Sequence, residues 1–277
     1  MKKLLLSLIL SVSSAFAGDF AGQAGLQLYS LRDSFKADVA ASLDKVKGFG
    51  LKEVELASTY AIEPPKFLAM LQERGLVPVS AHYSYNALDK DVAAIVAEAK
   101  ALGLKYAACP YIPHPETGFD EAVCRKAIAD FNKWGEAFAK EGIVFAYHPH
   151  GFEFLPFGDE KMLDLLMKET KPEAVSFEMD VFWFFQTGQD PVQWLEKYPT
   201  RWVMMHLKDL RKGAVVGLPH KQRAKTDQVA LGDGMVDWPL VLRTAAKVGV
   251  KHYFIEDESP AVEAQLPVSL RYLKTLQ

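Results

Sequence analysis

The sequence lacks the positive charge that a nucleic-acid-binding surface needs. Its 277 residues carry a formal net charge of -3, and no basic stripe is present to neutralise a phosphate backbone. The densest basic cluster is Lys221, Arg223 and Lys225, which we interpret as a solvated loop. The charge balance therefore argues against a nucleic-acid partner.

Cysteine and phosphate-binding glycine motifs are equally scarce. Cys109 and Cys124 are the only cysteines, and neither has a dedicated base beside it in the sequence, as a nucleophilic cysteine requires. We expect two buried free thiols, with a disulfide as the alternative that export would permit. A Gly-x-Gly motif occurs at 232–234, after a polar loop instead of a strand, so we interpret it as a turn and not as a phosphate cradle.

Long apolar runs are absent after the N-terminus, which excludes a membrane-spanning helix in the rest of the chain. At the N-terminus, Lys2 and Lys3 precede an apolar run from Leu4 to Val12, and Ala15-Phe16-Ala17 stands before Gly18. The run is shorter than the roughly 20 residues that a span needs, and the pattern is typical of a cleaved signal peptide. We predict a signal peptide over 1–17, export to the bacterial periplasm, and no membrane contact after cleavage.

After Gly18 the hydrophobic pattern alternates between strand-like and helix-like segments. The predicted strands are 26–31, 53–57, 77–82, 106–110, 143–148, 175–180, 202–206 and 253–256, and the predicted helices are 36–49, 64–74, 89–102, 120–140, 161–168, 191–197, 238–248 and 261–276. Eight strand–helix repeats in roughly 250 residues predict one (β/α)8 barrel over 18–277. A doubly wound open sheet is the competing fold, and it usually carries a phosphate loop.

The connection from Leu210 to Val236 is unusually long. Loops of this length in compact domains are commonly functional. It leaves the seventh predicted strand, where the polar residues described next are found. We therefore predict a lid over the site, with a surface excursion as the alternative.

Metal-binding residue types end four of the predicted strands. They are His148 and His150 after strand five, Glu178 and Asp180 in strand six, His206 and Lys208 at strand seven, and Glu256 and Glu258 at strand eight. Strand side chains alternate between faces, so the two members of each pair should point the same way. The carboxyl ends of barrel strands are where such folds build active sites. Mixed imidazole and carboxylate groups suit one divalent cation such as Mn, Co, Zn or Mg.

These segments resemble the sugar isomerase/epimerase superfamily of xylose-isomerase-like TIM barrels, which also includes endonuclease IV and inosose dehydratase. The resemblance covers essentially the whole mature chain and rests on the order of several short motifs. They are LQLYSLR at 26–32, YHPHGFEF at 147–154, EMD at 178–180, HLKD at 206–209, LGDGMVDW at 231–238 and FIE at 254–256.

The resemblance implies a metal held by Glu, Asp, His and Glu, and it places the last three on Asp180, His206 and Glu256. The first ligand departs from the family pattern, because His148 stands where epimerases carry glutamate. We assign His148 as that ligand and keep Glu153 as the alternate. With histidine there, proton transfer between two metal-bound glutamates is in doubt, which favours one-sided chemistry on a keto-sugar over epimerisation.

Other polar residues of the predicted barrel mouth receive roles in the reaction. We predict Glu256 as a base that is also a ligand, Lys208 as a partner for enolate charge, and His82 as an acid or base because imidazole titrates near neutrality. The candidate substrate-binding residues are Gln27, Tyr29, Glu55, His150 and Trp183. Purely structural roles are the alternatives: core hydrogen bonds for the histidines, a Lys208–Glu256 salt bridge, and core packing for the aromatic run 182–185.

Two functions follow from these observations. The first is a metal-dependent isomerase, epimerase or lyase that acts by α-proton abstraction on an unphosphorylated sugar, keto-sugar or keto-glycoside, because free sugar phosphates are rare outside the cytoplasm. The second is a catalytically silent periplasmic barrel that binds a sugar or a partner. An intact Asp180–His206–Glu256 set favours the enzyme. Nothing in the sequence indicates the oligomeric state.

Overall fold

The computed structural model describes residues 20–115, 118–217 and 225–276. Eight parallel strands carry the architecture, and we number them in chain order. They are β1 Ala24–Gln27, β2 Glu53–Leu56, β3 Val77–Ala81, β4 Tyr106–Cys109, β5 Val144–Tyr147, β6 Val175–Asp180, β7 Trp202–Leu207 and β8 His252–Ile255. The predicted signal peptide lies outside the described residues.

The strands pair in the order β3-β2-β1-β8-β7-β6-β5-β4. The two end strands also meet, because His82 after β3 forms a parallel bridge with Ala108 of β4. The Lys105 amide donates to Val79 O at 3.0 Å and the Tyr83 amide donates to Ala108 O at 2.8 Å. These contacts make a nearly closed barrel and confirm the predicted (β/α)8 fold.

Helices separate the strands along the chain. The longer ones are Val39–Gly48, Pro64–Gln72, Tyr85–Ala101, Glu121–Ala139, Met162–Glu169, Pro191–Lys197, Trp238–Val248 and Val262–Leu273, and the shorter ones are Phe20–Gln23, Arg32–Ala37 and Val181–Gln186. Three single-turn 3₁₀ segments lie at Leu28–Leu31, Phe152–Phe154 and Lys225–Asp227. In the described part of the chain no helix is both long and apolar enough to cross a bilayer.

Several predicted element boundaries are wrong. Strand one ends at Gln27 instead of Leu31, because the Gln27 side chain accepts the Tyr29 amide at 2.9 Å and turns the chain into a 3₁₀ segment. The first predicted helix is two helices, since Asp38 is extended and caps the second of them. The third begins earlier, at Tyr85, after the Ser84 N-cap. The helix Val181–Gln186 was not predicted at all.

Short antiparallel strand pairs lie in the loops that follow the barrel strands. Pro156–Phe157 pairs with Glu160–Lys161, and Asp209–Leu210 pairs with Gln228–Val229. The second pair joins the start of the long 210–236 connection to residues 228–229 in its second half, beside β7. The lid itself stays a prediction, because 218–224 lie outside the described residues.

The core consists of the barrel interior and the layer between strands and helices. Trp134, Trp202, Trp238, Phe145 and Phe177 are among the largest fully buried side chains. Cys109 and Cys124 are both buried and free, as expected. Burial raises the pKa of each thiol to about 12.

Candidate active site

Charged and imidazole side chains from six strands converge at the carboxyl end of the barrel. Glu55 comes from β2, His82 and His148 directly follow β3 and β5, Glu178 and Asp180 lie in β6, His206 lies in β7 with Lys208 just beyond it, and Glu256 directly follows β8. With the exception of His82, all of them are buried. The strand ends thus supply a compact cluster, which we call the mouth cluster.

His206 lies at the centre of the mouth cluster. Its Nδ1 is 3.1 Å from Glu256 Oε2 and its Nε2 is 2.6 Å from Glu55 Oε2. Burial lowers the pKa of His206, but the nearby Glu178 and Glu55 carboxylates more than offset this and hold the pKa well above its ordinary value. The carboxylates around His206 therefore favour its protonated ring, in which both nitrogens can donate a hydrogen bond.

Lys208 lies among three carboxylates on the β8 side of the cluster. Its Nζ is 2.7 Å from Glu256 Oε2, 2.9 Å from Glu258 Oε1 and 3.2 Å from Asp180 Oδ2. Burial opposes the charged form, yet Asp180 and Glu256 raise the pKa of Lys208 well above its usual range. Lys208 is thus a buried cation, and the predicted Lys208–Glu256 salt bridge is present inside the site.

Asp180 and Glu256 form a metal-competent group together with His206. One potential ligand atom from each of the three lies within 4.8 Å of the others. Asp180 Oδ2 makes no hydrogen bond to any described residue, while Oδ1 accepts the Phe182 amide at 2.9 Å and caps the helix that follows. The resemblance placed three ligands on these residues, and the structure brings all three together.

His148 and Glu153, the two candidates for the first ligand, lie in different surroundings. His148 is in the cluster, with Nε2 3.7 Å from Asp180 Oδ2 and Nδ1 3.0 Å from Glu178 Oε2. Glu153 is turned away, because its carboxylate accepts the Tyr147 hydroxyl and the amides of His150 and Gly151. The loop thus already holds Glu153, and the structure brings only His148 to the other ligands.

The remaining predicted site residues divide between the cluster and its rim. Glu55 is wholly buried in the cluster, and Gln27 donates to it at 2.8 Å. Gln27 thereby orients a carboxylate. The ring of Tyr29 is 43% exposed and packs against Arg32, so it lies at the surface instead of in the cluster.

His150 and Trp183 lie together at the rim. Their ring centroids are 5.2 Å apart, and Lys208 Nζ is 6.0 Å from the Trp183 ring. Burial, helped by the neighbouring His148, lowers the pKa of His150 to about 3. Phe182 and Phe184 are fully buried, so only part of the aromatic run faces the mouth. A substrate platform at Trp183 stays a prediction.

Sequence reasoning gave too little weight to Glu178 and Glu258. Glu178 Oε2 lies 2.9 Å from His82 Nε2 and 3.0 Å from His148 Nδ1. The alternation of strand side chains did place it on the face of Asp180, so the signal was present. Glu258 pairs with Lys208 at 2.9 Å, again two residues beyond a predicted ligand.

The backbone of Glu258 is held from two sides. Its amide donates to Gln228 Oε1 at 2.6 Å, and its carbonyl accepts from Arg32 at 3.0 Å. Gln228 belongs to the long 210–236 connection and Arg32 begins the helix after β1. These contacts fix Glu258, and through it Lys208, to the rim loops.

Taken together, the fold and the site define a class: a (β/α)8 barrel with a buried histidine–carboxylate centre and an internal lysine at its carboxyl end. The match of this chain to the family model for the xylose isomerase-like TIM barrel runs over residues 43–276. The chain belongs to that family.

Individual relatives agree with this assignment. The chain is 26% identical over 152 residues to inosose dehydratase from Geobacillus thermodenitrificans, covering 52% of this chain and 50% of that protein. It therefore spans about half the length of this relative. A solved structure of a sugar phosphate isomerase/epimerase from Parabacteroides distasonis matches with a TM-score of 0.74 and 25% identity, over 97% of this chain and 98% of that one.

A further solved structure, of the IolI protein with a bound zinc atom, shows the same fold. Its TM-score is 0.71 at 13% identity, over 92% of this chain and 96% of that chain. Two of these relatives, the inosose dehydratase and the sugar phosphate isomerase/epimerase, are carbohydrate enzymes by name, and the mouth cluster of this chain contains groups of ligand atoms close enough to hold a metal ion.

Proposed function

We propose that this protein is an exported enzyme that uses a divalent metal to remove the α-proton of an unphosphorylated keto-sugar or keto-glycoside. The observation that carries the proposal is the convergence of Asp180, His206 and Glu256 on one point, with the Lys208 ammonium beside them. We expect elimination or hydration in preference to epimerisation, which needs proton transfer at both faces of the sugar.

The donor set fits a metal on chemical grounds. Two carboxylates and an imidazole are ligands that Zn, Mn and Co accept, and a buried carboxylate oxygen without a hydrogen bond calls for a cation or a donor. Among the described residues Asp180 Oδ2 makes no hydrogen bond, and its nearest cation is the Lys208 ammonium at 3.2 Å. His206 also has the usual support of a metal-binding histidine, since its Nε2 faces the Glu55 carboxylate. Zinc in a protein of the same fold makes Zn a reasonable first choice.

When bound, the cation would supply Lewis-acid stabilisation of negative charge on a substrate oxygen. The side chains of this protein do the rest. Glu256 Oε2 lies 3.1 Å from His206 Nδ1 and 2.7 Å from Lys208 Nζ, so both neighbours hold in place the carboxylate that would take the proton. The fixed Lys208 ammonium favours negative charge that develops next to it.

We expect one-sided chemistry because Lys208 forms its ion pairs with carboxylates on one side of the barrel mouth. Lys208 contacts Asp180, Glu256 and Glu258, all on the β6–β8 side of the mouth. On the opposite side, Glu55 and Glu178 face histidines. After a proton is removed on the lysine side, the described residues offer no matching Lys–Glu pair on the opposite side to return a proton to the substrate. We therefore expect a leaving group to depart from the β-carbon.

The test is solvent exchange in deuterated water with keto-glycosides and aldose–ketose pairs. We expect deuterium next to the carbonyl, together with release of the aglycone or water. Asp180→Ala should abolish both exchange and bound metal. Asp190→Ala is the matched control, because Asp190 caps a distant helix through the Val192 amide and should leave both unchanged.

Three results would contradict the proposal. Clean interconversion of epimers without elimination would show a second base and refute the one-sided reaction. Normal metal content in Asp180→Ala would refute the ligand assignment. Bound metal without exchange on any sugar would favour the silent sugar-binding barrel.

Export is part of the proposal and has its own support. The Lys2-Lys3 start, the apolar run and Ala15-Phe16-Ala17 are typical of a cleaved signal. Mass spectrometry of the protein from a periplasmic fraction should give a mature N-terminus at Gly18. An unprocessed chain confined to the cytoplasmic fraction would contradict export without touching the chemistry.

A further inference from the structure

A second group of metal-binding atoms lies on the other side of His206. His82 Nε2 and His148 Nδ1 approach the same atom, Glu178 Oε2, at 2.9 and 3.0 Å. Potential ligand atoms of His82, His148, Glu178 and His206 all lie within 4.8 Å of one another. This group, which we call the histidine group, shares only His206 with the Asp180–His206–Glu256 group.

The two groups use different nitrogens of the shared ring. His206 Nδ1 faces Glu256, whereas Nε2 faces Glu55 at 2.6 Å and Glu178 at 3.3 Å. A metal bound through Nδ1 leaves the Nε2 hydrogen bond to Glu55 in place. The histidine group still retains three ligands without His206, so both groups can be complete at once.

The positive charge of Lys208 serves only one of the groups. Its ion pairs within the described residues are with Asp180, Glu256 and Glu258. Glu55 and Glu178 are wholly buried, and the described groups in contact with them are imidazoles and the Gln27 amide. The partners of these two carboxylates are thus mostly rings that can exchange a proton for a metal ion, whereas Asp180 and Glu256 already face a lysine ammonium, which cannot bind a metal.

Buried carboxylate oxygens in and beside the histidine group are also available to a cation. Glu55 Oε1 is buried and makes no hydrogen bond to the described part of the chain, and Glu178 Oε1 has there only the His206 Nε2 contact at 3.3 Å. A cation with open coordination positions can use such oxygens directly. The His82 side chain, 14% exposed, leaves one side of the group accessible from the barrel mouth.

We propose that His82, His148 and Glu178 form a second site for a divalent transition metal. Two imidazoles and one carboxylate suit Zn, Fe(II), Mn or Co, and three protein ligands leave positions open for water or a substrate oxygen. His148 belongs to this site through Nδ1, because Glu178 is closer to it than Asp180 is. His82 becomes a ligand here, in place of the acid–base role that the sequence predicted.

The site goes beyond the proposed function, which needs only the metal at Asp180, His206 and Glu256. Two cations flanking His206 would offer separate anchors for two oxygens of one substrate. That arrangement suits a polyhydroxylated keto-compound with neighbouring oxygens. The proposal itself concerns metal binding and can be tested without any substrate.

The experiment counts metal. Full-length protein is stripped with a chelator, reloaded with Zn²⁺ or Co²⁺, desalted and analysed by plasma mass spectrometry. We expect two ions per chain in the wild type, and one in His82→Ala, in Glu178→Gln and in Asp180→Ala. The double variant of His82 and Asp180 should bind none. The visible spectrum of the Co²⁺ form should lose a different component in His82→Ala than in Asp180→Ala.

The matched control is His252→Ala. His252 also pairs with a glutamate, Glu53, at 2.8 Å, and its side chain is 15% exposed, but it lies at the opposite end of β8. It should keep two ions. Circular dichroism reports whether each variant is folded, and His82→Gln serves where His82→Ala is not.

Four outcomes would overturn the second site. In the first, the wild type binds one ion and His82→Ala keeps it. In the second, the wild type binds one ion and both His82→Ala and Asp180→Ala lose it. In the third, the wild type binds two ions and His82→Ala keeps both, and in the fourth the wild type binds no ion. In the first case deuterium exchange can persist, so the proposed function survives while the second site fails. In the last case the proposed function fails as well.

Discussion

Asp209 links the long connection after β7 to the barrel, and its removal is the sharpest test of how the site is built. The buried carboxylate of Asp209 accepts the amides of Leu210, Gly232, Gly234 and Val236 at 2.9 to 3.3 Å, and Trp238 Nε1 at 2.8 Å. We expect Asp209→Ala to leave several of these buried donors without a partner.

The expected loss follows from the number of donors. A buried donor left unpaired costs about 1–3 kcal/mol. Burial raises the pKa of Asp209 even though its donors lower it, so desolvation of the carboxylate consumes part of the gain. We therefore expect a loss of at least about 3 kcal/mol in the free energy of unfolding, which is below the low end of about 5 kcal/mol that five unpaired donors would give.

Urea unfolding followed by circular dichroism measures this loss. Asp237→Ala is the matched control, because Asp237 directly follows the same connection and caps one helix through the Leu240 amide. A lost N-cap costs about 1 kcal/mol. If Asp209→Ala is no less stable than Asp237→Ala, the amide cluster does not anchor the connection.

The remaining predictions concern packing and the thiols. Gly135→Ala should destabilise the barrel by about 1–3 kcal/mol, because a Cβ there would meet Ala174 O at 2.2 Å, whereas the control Gly48→Ala has open space and should be neutral or slightly stabilising in urea unfolding. A stable Gly135→Ala would show that the helix shifts freely. Cys109 and Cys124, both buried with a pKa of about 12, should resist iodoacetamide at pH 8 and label fully in urea without reductant. A chain that stays unlabelled in urea contains the disulfide that the structure lacks.

The sequence predicted elements best where pattern and cap agree. Val175–Asp180, Pro191–Lys197 and Trp238–Val248 have the bounds that were predicted, and each of the two helices follows a capping aspartate and has a proline at its first or second position. The helix Val181–Gln186 was missed because its aromatic run has no helical period and follows a strand directly. Its N-cap is Asp180, which the sequence analysis predicts as a metal ligand.

Within the site, prediction succeeded for contacts that topology dictates. Asp180 and His206 are register partners on β6 and β7, so assigning those strands placed them side by side. The contact between Glu55 and His206 joins residues 151 apart across the barrel interior. No local pattern encodes such a distance, because it depends on barrel diameter and side-chain rotamers. For that reason Glu55 was predicted to face a substrate and not a histidine.

Lys208 has a consequence for the order of events in the life of the protein. Its ammonium already pairs with Asp180, Glu256 and Glu258, and histidine rings contact Glu55 and Glu178. The chain therefore carries its own counter-ions and can reach the folded state before any metal arrives. Folding and loading of the proposed metal then become separate steps, and we expect metal supply to change how much of the protein holds metal without changing how much of it is folded.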